Sequence, residues 1–355
     1  MAPKIFFTGA TGFVGGDVLE ALHSKHPDYE YTILVRTEER AKPVRERYSD
    51  ANVIIGSNDS AEIIEKAAAE ADVVVHTAES ADDEPSAKSI VKGLEAGHSP
   101  DRPGRYIHLT GTAILQWIPD RQYDKTNERY GEPPAPDQEY RDIRDIERIL
   151  NLPDQAPHRG IDKIVQAAND IPYVKTAMIC PPVIYGTGRG TVNTRSQQVP
   201  FLARYVLQEG HAPLVGAQKT QWDSVHVADL ATLFVALVEA ALDPGRRDDP
   251  ELFGRAGYFF CEAGTPHRWS DVARAVVEAA KQQGFVAEAR AEVVPAAKVT
   301  NWTLLGNSQS VAERARKHLA WEPEVSKRHT LWDDIPNCVK VEAEALGIKP
   351  TLPPQ

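Results

Sequence analysis

Short apolar runs and amphipathic stretches alternate along the first half of the chain. The runs Lys4–Thr8, Tyr31–Val35, Asn52–Ile55, Asp72–His76, Arg105–Thr110 and Tyr173–Ile179 read as strands. Several are almost wholly apolar, as expected of strands covered on both faces. Between them, apolar residues recur three and four apart, as at Val14, Val18 and Leu22. That spacing predicts helices over Gly12–Ser24, Glu38–Tyr48, Ser60–Glu70 and Pro85–Gly97. Strand and helix in alternation imply βαβ units, so the expected fold class is α/β, a doubly wound parallel sheet over residues 1–180.

Past Thr110 the alternation breaks. Residues 111–139 form a long stretch with Pro119, Pro133, Pro134 and Pro136, read as an irregular excursion able to act as a lid. Helical patterns resume at Tyr140–Asn151 and Arg159–Asn169. Beyond Pro181 the elements are mixed, with helices expected near Gln198–Gln208, Ala228–Ala241 and Trp269–Lys281. Residues 181–330 are therefore read as a smaller mixed α/β substrate lobe, interleaved with the sheet. A C-terminal helix and tail follow over 331–355, with Lys349–Gln355 expected to fray. Pro244 to Pro250 reads as a polar surface loop.

Composition narrows the function classes. A chain of 355 residues, 42% hydrophobic and 26% charged, is long enough for two packed lobes. A formal net charge of −11 argues against a nucleic-acid partner, because phosphate neutralisation needs concentrated Lys and Arg. Cys180, Cys261 and Cys338 are far apart with no CxxC pair, which excludes a disulfide framework and fits a reducing compartment. The N-terminus has no leader pattern and no apolar run reaches membrane-spanning length, so the cytoplasm is expected and a membrane is not. His23-x-x-His26 lacks a third ligand, so no metal is expected.

The chemistry begins at Thr8-Gly9-Ala10-Thr11-Gly12-Phe13-Val14-Gly15, which follows a buried strand and opens a helix. In that context a glycine pattern points to a dinucleotide. Gly9 permits the tight turn, Gly12 lets a diphosphate approach the backbone, and Gly15 lets the helix pack on the sheet. The end of the second strand selects the cofactor. It reads Val35-Arg36-Thr37, with Arg40 and Lys42 behind and no carboxylate in place. An arginine here suits the 2′-phosphate, so NADP(H) is expected.

The TGxxGxxG pattern resembles that of the extended and atypical short-chain dehydrogenases/reductases, the epimerase/dehydratase-like group with a Rossmann sheet. His76-Thr77-Ala78 is similar to the segment that lies beneath the cofactor in that family. Pro181-Pro182-Val183-Ile184-Tyr185-Gly186 resembles its loop lining the nicotinamide. Val225-His226-Val227-Ala228-Asp229-Leu230 and Leu319-Ala320-Trp321-Glu322-Pro323 match two later segments, so the resemblance covers roughly residues 4–325. It implies cofactor contacts at Thr77, Ala78, Pro181 and Val183, with His226 and Asp229 as structural residues. It also implies a Ser or Thr at the end of the fifth strand, a place that Thr110 or its neighbour Thr112 can fill.

One departure stands out. The family's Tyr-x-x-x-Lys pair is missing, since none of the 11 tyrosines has Lys four residues on. In His158-Arg159-Gly160-Ile161-Asp162-Lys163, Lys163 matches the family's lysine at the cofactor ribose, and Arg159 stands at the tyrosine's place. Arginine keeps its proton, so it would act as a fixed positive charge at a developing oxyanion. The proton would come from elsewhere: His158, Tyr123 or Tyr130 on the excursion, or Tyr185. Gly186–Thr191 reads as a flexible polar loop admitting substrate. Trp117, Trp222 and Trp302, with Asp223, are candidate pocket walls. Cys180 is expected to be a buried core residue.

Three readings remain open at this point. The first is an NADP(H)-dependent oxidoreductase acting on a carbonyl or conjugated double bond of a small molecule. The second is a non-redox isomerase or cyclase with NADP as scaffold, and the third a non-catalytic NADP-sensing regulator. Helices flanking the excursion make a homodimer possible in each.

Overall fold

The computed structural model describes residues 2–116, 130–299 and 304–353. Seven parallel strands form the central sheet: β1 (Lys4–Thr8), β2 (Glu30–Val35), β3 (Asn52–Ile55), β4 (Val73–His76), β5 (Gly104–Leu109), β6 (Val174–Cys180) and β7 (Tyr258–Phe260). Their order across the sheet is β7-β6-β5-β4-β1-β2-β3. Ile5 pairs with Tyr31 on one side and Val73 on the other. The chain therefore reverses its direction of travel at β1, and a crevice opens between β1 and β4 at their carboxyl ends.

Helices α1 (Phe13–Lys25), α2 (Glu38–Arg47), α3 (Ala61–Glu70), α4 (Glu84–Gly97) and α5 (Arg159–Ala167) surround the sheet. Three helices, α6 (Gln198–Glu209), α8 (Trp269–Gln282) and α9 (Leu331–Leu346), pack together in the smaller lobe around Leu202, Val206, Val276 and Val339. Between α6 and α8 in sequence, α7 (Val227–Leu242) leaves that lobe and packs on α1, burying Leu230, Phe234 and Val238 in the core of the sheet. No helix of the described residues is long and apolar enough to cross a membrane.

The expected doubly wound sheet is present, and its first six strands lie within about a residue of the predicted bounds. The seventh, β7, is a three-residue run too short to count from pattern alone; Tyr258, Phe259 and Phe260 are fully buried beside β6. The expected helix over Tyr140–Asn151 is corrected. Glu139–Arg141 is a strand paired with Gln309–Val311, and only Ile146–Leu150 is helical. Asp142 is the reason: its buried carboxyl accepts from Phe260 N and Arg314 N, each at 2.9 Å, and those tertiary bonds hold the backbone out of a helix. The tail is also held, since Thr351 N and Leu352 N both donate to Gly284 O.

The loop after Gly186 is pinned, not flexible. Arg189 pairs with the fully buried Asp17 of α1, its backbone N–H donating to Oδ2 at 2.8 Å. A Cβ on Gly190 would lie 2.7 Å from Gly16 Cα, so two glycine backbones touch here and bring the loop onto α1. Gly190→Ala should therefore cost about 1–3 kcal/mol of stability in chemical denaturation. Gly160, with nothing within 4 Å of its added Cβ, should accept alanine with a gain of about 0.5–1 kcal/mol. Equal costs at the two sites would refute this account of the loop.

Candidate functional site

The glycine turn forms the floor of the crevice. Gly9 takes φ +82°, and Gly12 N donates to Gly9 O at 2.8 Å to close the turn. An added Cβ at Gly9 would fall 2.4 Å from Thr77 Oγ1, and one at Gly15 would fall 2.2 Å from Gly9 O. Both glycines are required for the turn to sit against the end of β4. Gly12 differs: its only close neighbour would be Gly9 O at 3.2 Å, so its open side faces the crevice. Gly12 caps α1 without a side-chain hydrogen bond, leaving the first-turn N–H groups for an anion.

Thr8 welds this floor to β4. Its hydroxyl meets His76 Nδ1 at 2.7 Å and accepts from Thr77 N at 3.3 Å, while Thr77 Oγ1 donates to Thr8 O at 2.8 Å. Burial pushes His76 down to about 4, so the ring is neutral and serves as a hydrogen-bonding strut with Ser86 on its far nitrogen.

Above this floor lies a cleft of about 680 Å³. Thr8, Gly9, Thr11, Gly12, Phe13, Val14 and Gly15 line it from the turn, and Thr77 and Ala78 from the end of β4. Arg36 and Arg40 stand on its outer lip beyond β2, opposite Ser57 and Asn58. Neither guanidinium has an ion-pair partner among the described residues. A bare helix N-terminus beside two uncommitted guanidiniums fits a dinucleotide with phosphates at both places.

The other end of the cleft is built by Thr110, just past β5, by the segment after β4 that carries Asp82, and by Ile184, Asn193 and Gln197 from the smaller lobe. Thr110 Oγ1 donates to Asp162 Oδ1 at 2.7 Å, and Tyr258 OH donates to Asp162 Oδ2 at 3.1 Å. Asp162 is fully buried, and burial pushes its carboxyl up to about 6. His158, at φ +64°, caps the start of α5, and its Nδ1 lies 2.7 Å from Asp82 Oδ1. His158 Nε2 lies 3.3 Å from the place a Cβ on Gly111 would take, so only a glycine separates it from Thr110's neighbourhood.

The two cations expected here are elsewhere. Arg159 donates from its guanidinium to Leu150 O, to Leu152 O at 3.0 Å and to Gln166 Oε1 at 3.1 Å. It caps the carboxyl end of Ile146–Leu150, where backbone carbonyls lack partners, and all three of its nitrogens donate there or to Gln166. Lys163 Nζ lies 2.9 Å from Asp154 on the exposed face. The helix thus sets Asp162 against Thr110 and His158 against Asp82 beside Gly111, one position earlier than the pair Arg159 and Lys163. A phase error of one residue is a rotation of about 100°.

Tyr185 is corrected as well. Its hydroxyl donates to His329 O at 2.8 Å and its ring stands edge-on to His226, in the core of the smaller lobe. Pro181 and Val183 are buried off the cleft wall, and Ile184, on the opposite face of the same short strand, takes their place. Trp222 donates from Nε1 to Gly306 O at 2.7 Å and packs edge-on to Trp269, while Asp223 accepts from Ser310 N at 2.6 Å. Tyr130 O accepts from Ala217 N at 3.0 Å, which places that residue's backbone against the smaller lobe. Trp117, Tyr123 and Trp302 lie outside the described residues. His226 and Asp229 are structural, Asp229 accepting from Val325 N and Ser326 N. Cys180 is buried.

Sequence reasoning missed Asp82 and Asp162. Asp162 did leave a signal, a carboxylate on the same helical face as Ile161 and Val165. Asp82 left none, since only the folded loop brings it to His158.

A family profile described as NAD(P)H-binding matches residues 9–111. The oxidase ucsJ of an Acremonium species is 34% identical over 360 residues, spanning 98% of this chain and 100% of that protein. The fold is similar to dTDP-glucose 4,6-dehydratase (DesIV double mutant) from Streptomyces venezuelae, solved with NAD and DAU bound, at TM-score 0.65 and 13% identity over 97% of this chain and 98% of that one. It is also similar to the UDP-glucose 4-epimerase of Thermus thermophilus in complex with NAD, at TM-score 0.60 and 18% identity over 96% and 99%. The chain thus carries a nicotinamide-dinucleotide cleft.

Gly12 already has extended backbone angles, φ −88° and ψ 171°, so a larger residue fits the chain there. Gly12→Val should fill the open side and weaken nicotinamide-dinucleotide binding by at least about tenfold in calorimetry, with the melting temperature little changed. Unaltered affinity would remove the diphosphate from this turn.

Proposed function

We propose that this chain, which belongs to one family with the Acremonium oxidase and shares the fold of the epimerases and dehydratases, is an NADP(H)-dependent oxidoreductase acting on a carbinol–carbonyl pair of a small organic molecule. The reading is carried by the pair His158–Asp82: Asp82 lines the β5 end of the cleft with Thr110, and its Oδ1 meets His158 Nδ1 at 2.7 Å. The relative from Acremonium, itself named an oxidase, supports redox chemistry.

The first turn of α1 would hold the cofactor's diphosphate, and Arg36 with Arg40 its 2′-phosphate, since paired guanidiniums suit a dianion better than a ribose hydroxyl. When bound, the cofactor supplies a hydride acceptor or donor at C4 of its nicotinamide. The protein's own residues handle the proton and the orientation. A hydrogen bond from His158 Nδ1 to Asp82 fixes the ring's tautomer and leaves the Nε2 lone pair on the side of Gly111, the residue after Thr110. The carboxylate, held below its usual range by that bond, also steadies the imidazolium that forms when Nε2 takes the proton of a substrate hydroxyl. In the opposite direction Nε2–H returns the proton to the carbonyl oxygen. Thr110 lines the cleft beside it.

The test follows nicotinamide absorbance with a panel of alcohols and carbonyl compounds. His158→Gln should lower kcat by about 10²–10⁴-fold with the cofactor's Kd unchanged, and turnover at the wild-type rate would overturn the assignment. Product formed with no net change in the cofactor would favour a non-redox isomerase instead. Arg36→Ala should weaken NADP(H) at least about tenfold more than NAD(H), and equal losses would undo the choice of cofactor.

A further inference from the structure

A threonine hydroxyl has one proton. In this structure that proton has a fixed destination, because Thr110 Oγ1 donates to Asp162 Oδ1 at 2.7 Å inside the core. The other carboxylate oxygen accepts from Tyr258 OH at 3.1 Å, so Asp162 is held from two sides by hydroxyls on β5's end and on β7. The Tyr258 hydroxyl also has Cys180 Sγ at 3.3 Å. Burial raises the Cys180 thiol well above its ordinary range, so the sulfur keeps its proton and does not compete with the carboxylate as an acceptor. Asp162 is itself fully buried and reaches the cleft only through Thr110. What Thr110 turns toward the cleft is therefore a pair of oxygen lone pairs, and no described group donates to them.

We propose that Asp162 is a positioning residue that fixes Thr110 as a hydrogen-bond acceptor toward the cleft, so that the site takes a ligand presenting an O–H or N–H there, an alcohol or an amine, in preference to a bare carbonyl. This rests on the reading that the reacting group lies between Thr110 and His158. A carbonyl oxygen set against Thr110 would place two acceptors face to face, with neither satisfied. An alcohol or an amine set against Thr110 satisfies that oxygen with a proton of its own. The same geometry favours entry in the oxidative direction, where the substrate arrives still carrying its proton.

The discriminating probes are 2-phenyl-2-propanol and acetophenone, both titrated into the protein loaded with NADP⁺ at pH 8, where the Asp162 carboxyl is ionised. The tertiary alcohol has no carbinol hydrogen to lose, and the ketone has no hydride to receive from an oxidised cofactor, so both report binding alone. The wild type should bind the alcohol about tenfold more tightly than the ketone. Asp162→Leu, nearly the same shape and free of a buried charge, releases the Thr110 proton to the cleft and should bring the ratio close to one. Thr110→Val should lose the alcohol's advantage with the ketone's affinity unchanged, and Thr110→Ser should keep it. A wild-type ratio of one or less, no binding of the alcohol, or a ratio unmoved by both Asp162→Leu and Thr110→Val overturns the proposal. Turnover on the wider panel with an unmoved ratio would sink this inference and leave the oxidoreductase reading standing. A preference for the alcohol with no hydride transfer on any compound would do the reverse.

Discussion

The turn after β1 is pressed against the end of β4 so closely that no side chain fits between them. Thr77 Oγ1 occupies the space a Cβ would need at both Gly9 and Gly15. That contact sets the rest of the site. It brings the amino end of α1 over the switch point of the sheet, where helices on either side diverge and leave a crevice. It also fixes where β4 ends, and hence where the segment carrying Asp82 leaves the sheet. The hydroxyl of Thr8, bound to His76 and Thr77, makes the arrangement a hydrogen-bonded joint as well as a steric one. The cofactor half and the reacting half of the cleft are thus positioned by one feature of a few residues.

The fold was largely legible, because its information is local. Strands such as Val73–His76 are buried throughout and the helices between them repeat every three to four residues, so pattern and structure agree. Where tertiary contacts outweigh local preference, the reading failed. Glu139–Arg141 has a helix-like neighbourhood in sequence but finds an edge at Gln309–Val311, and Asp142 finds two backbone N–H donors from elements more than a hundred residues away. Tyr258–Phe260 is too short to carry a period. Its membership of the sheet comes from the open edge of β6, which no local pattern records.

The site was legible in part, and the division follows the same line. Glycines that permit a turn and an arginine after a strand are local signals, and the cleft is lined by them as read. The proton-handling residues depend on the phase of α5, which a residue-type match does not contain. A search for cations found Arg159 and Lys163, the residues whose charge suited the chemistry. Their neighbours are the ones that meet the cleft wall, Asp162 through Thr110 and His158 through Asp82. The phase is set by His158, whose left-handed backbone starts the helix, and by Ile161 and Val165, whose burial fixes the inner face.

The fate of the two cations explains why the inner face could become acidic. A guanidinium needs water or several acceptors, and Arg159 meets the unpaired carbonyls ending Ile146–Leu150 just outside the cleft. Lys163 meets Asp154 and solvent. With Arg159 engaged by backbone carbonyls and Lys163 paired with Asp154 at the surface, the carboxyl of Asp162 is held by two hydroxyls instead of a cation. The result is a polarised cleft. Positive charge stands at the β2 lip, the place proposed for a 2′-phosphate, and the β5 end has no lysine or arginine among its described wall residues. On the proposed reading such a site does not clamp an oxyanion but offers a proton somewhere to go, and the hydrogen-bonded pairs Thr110–Asp162 and His158–Asp82 keep that destination in one place.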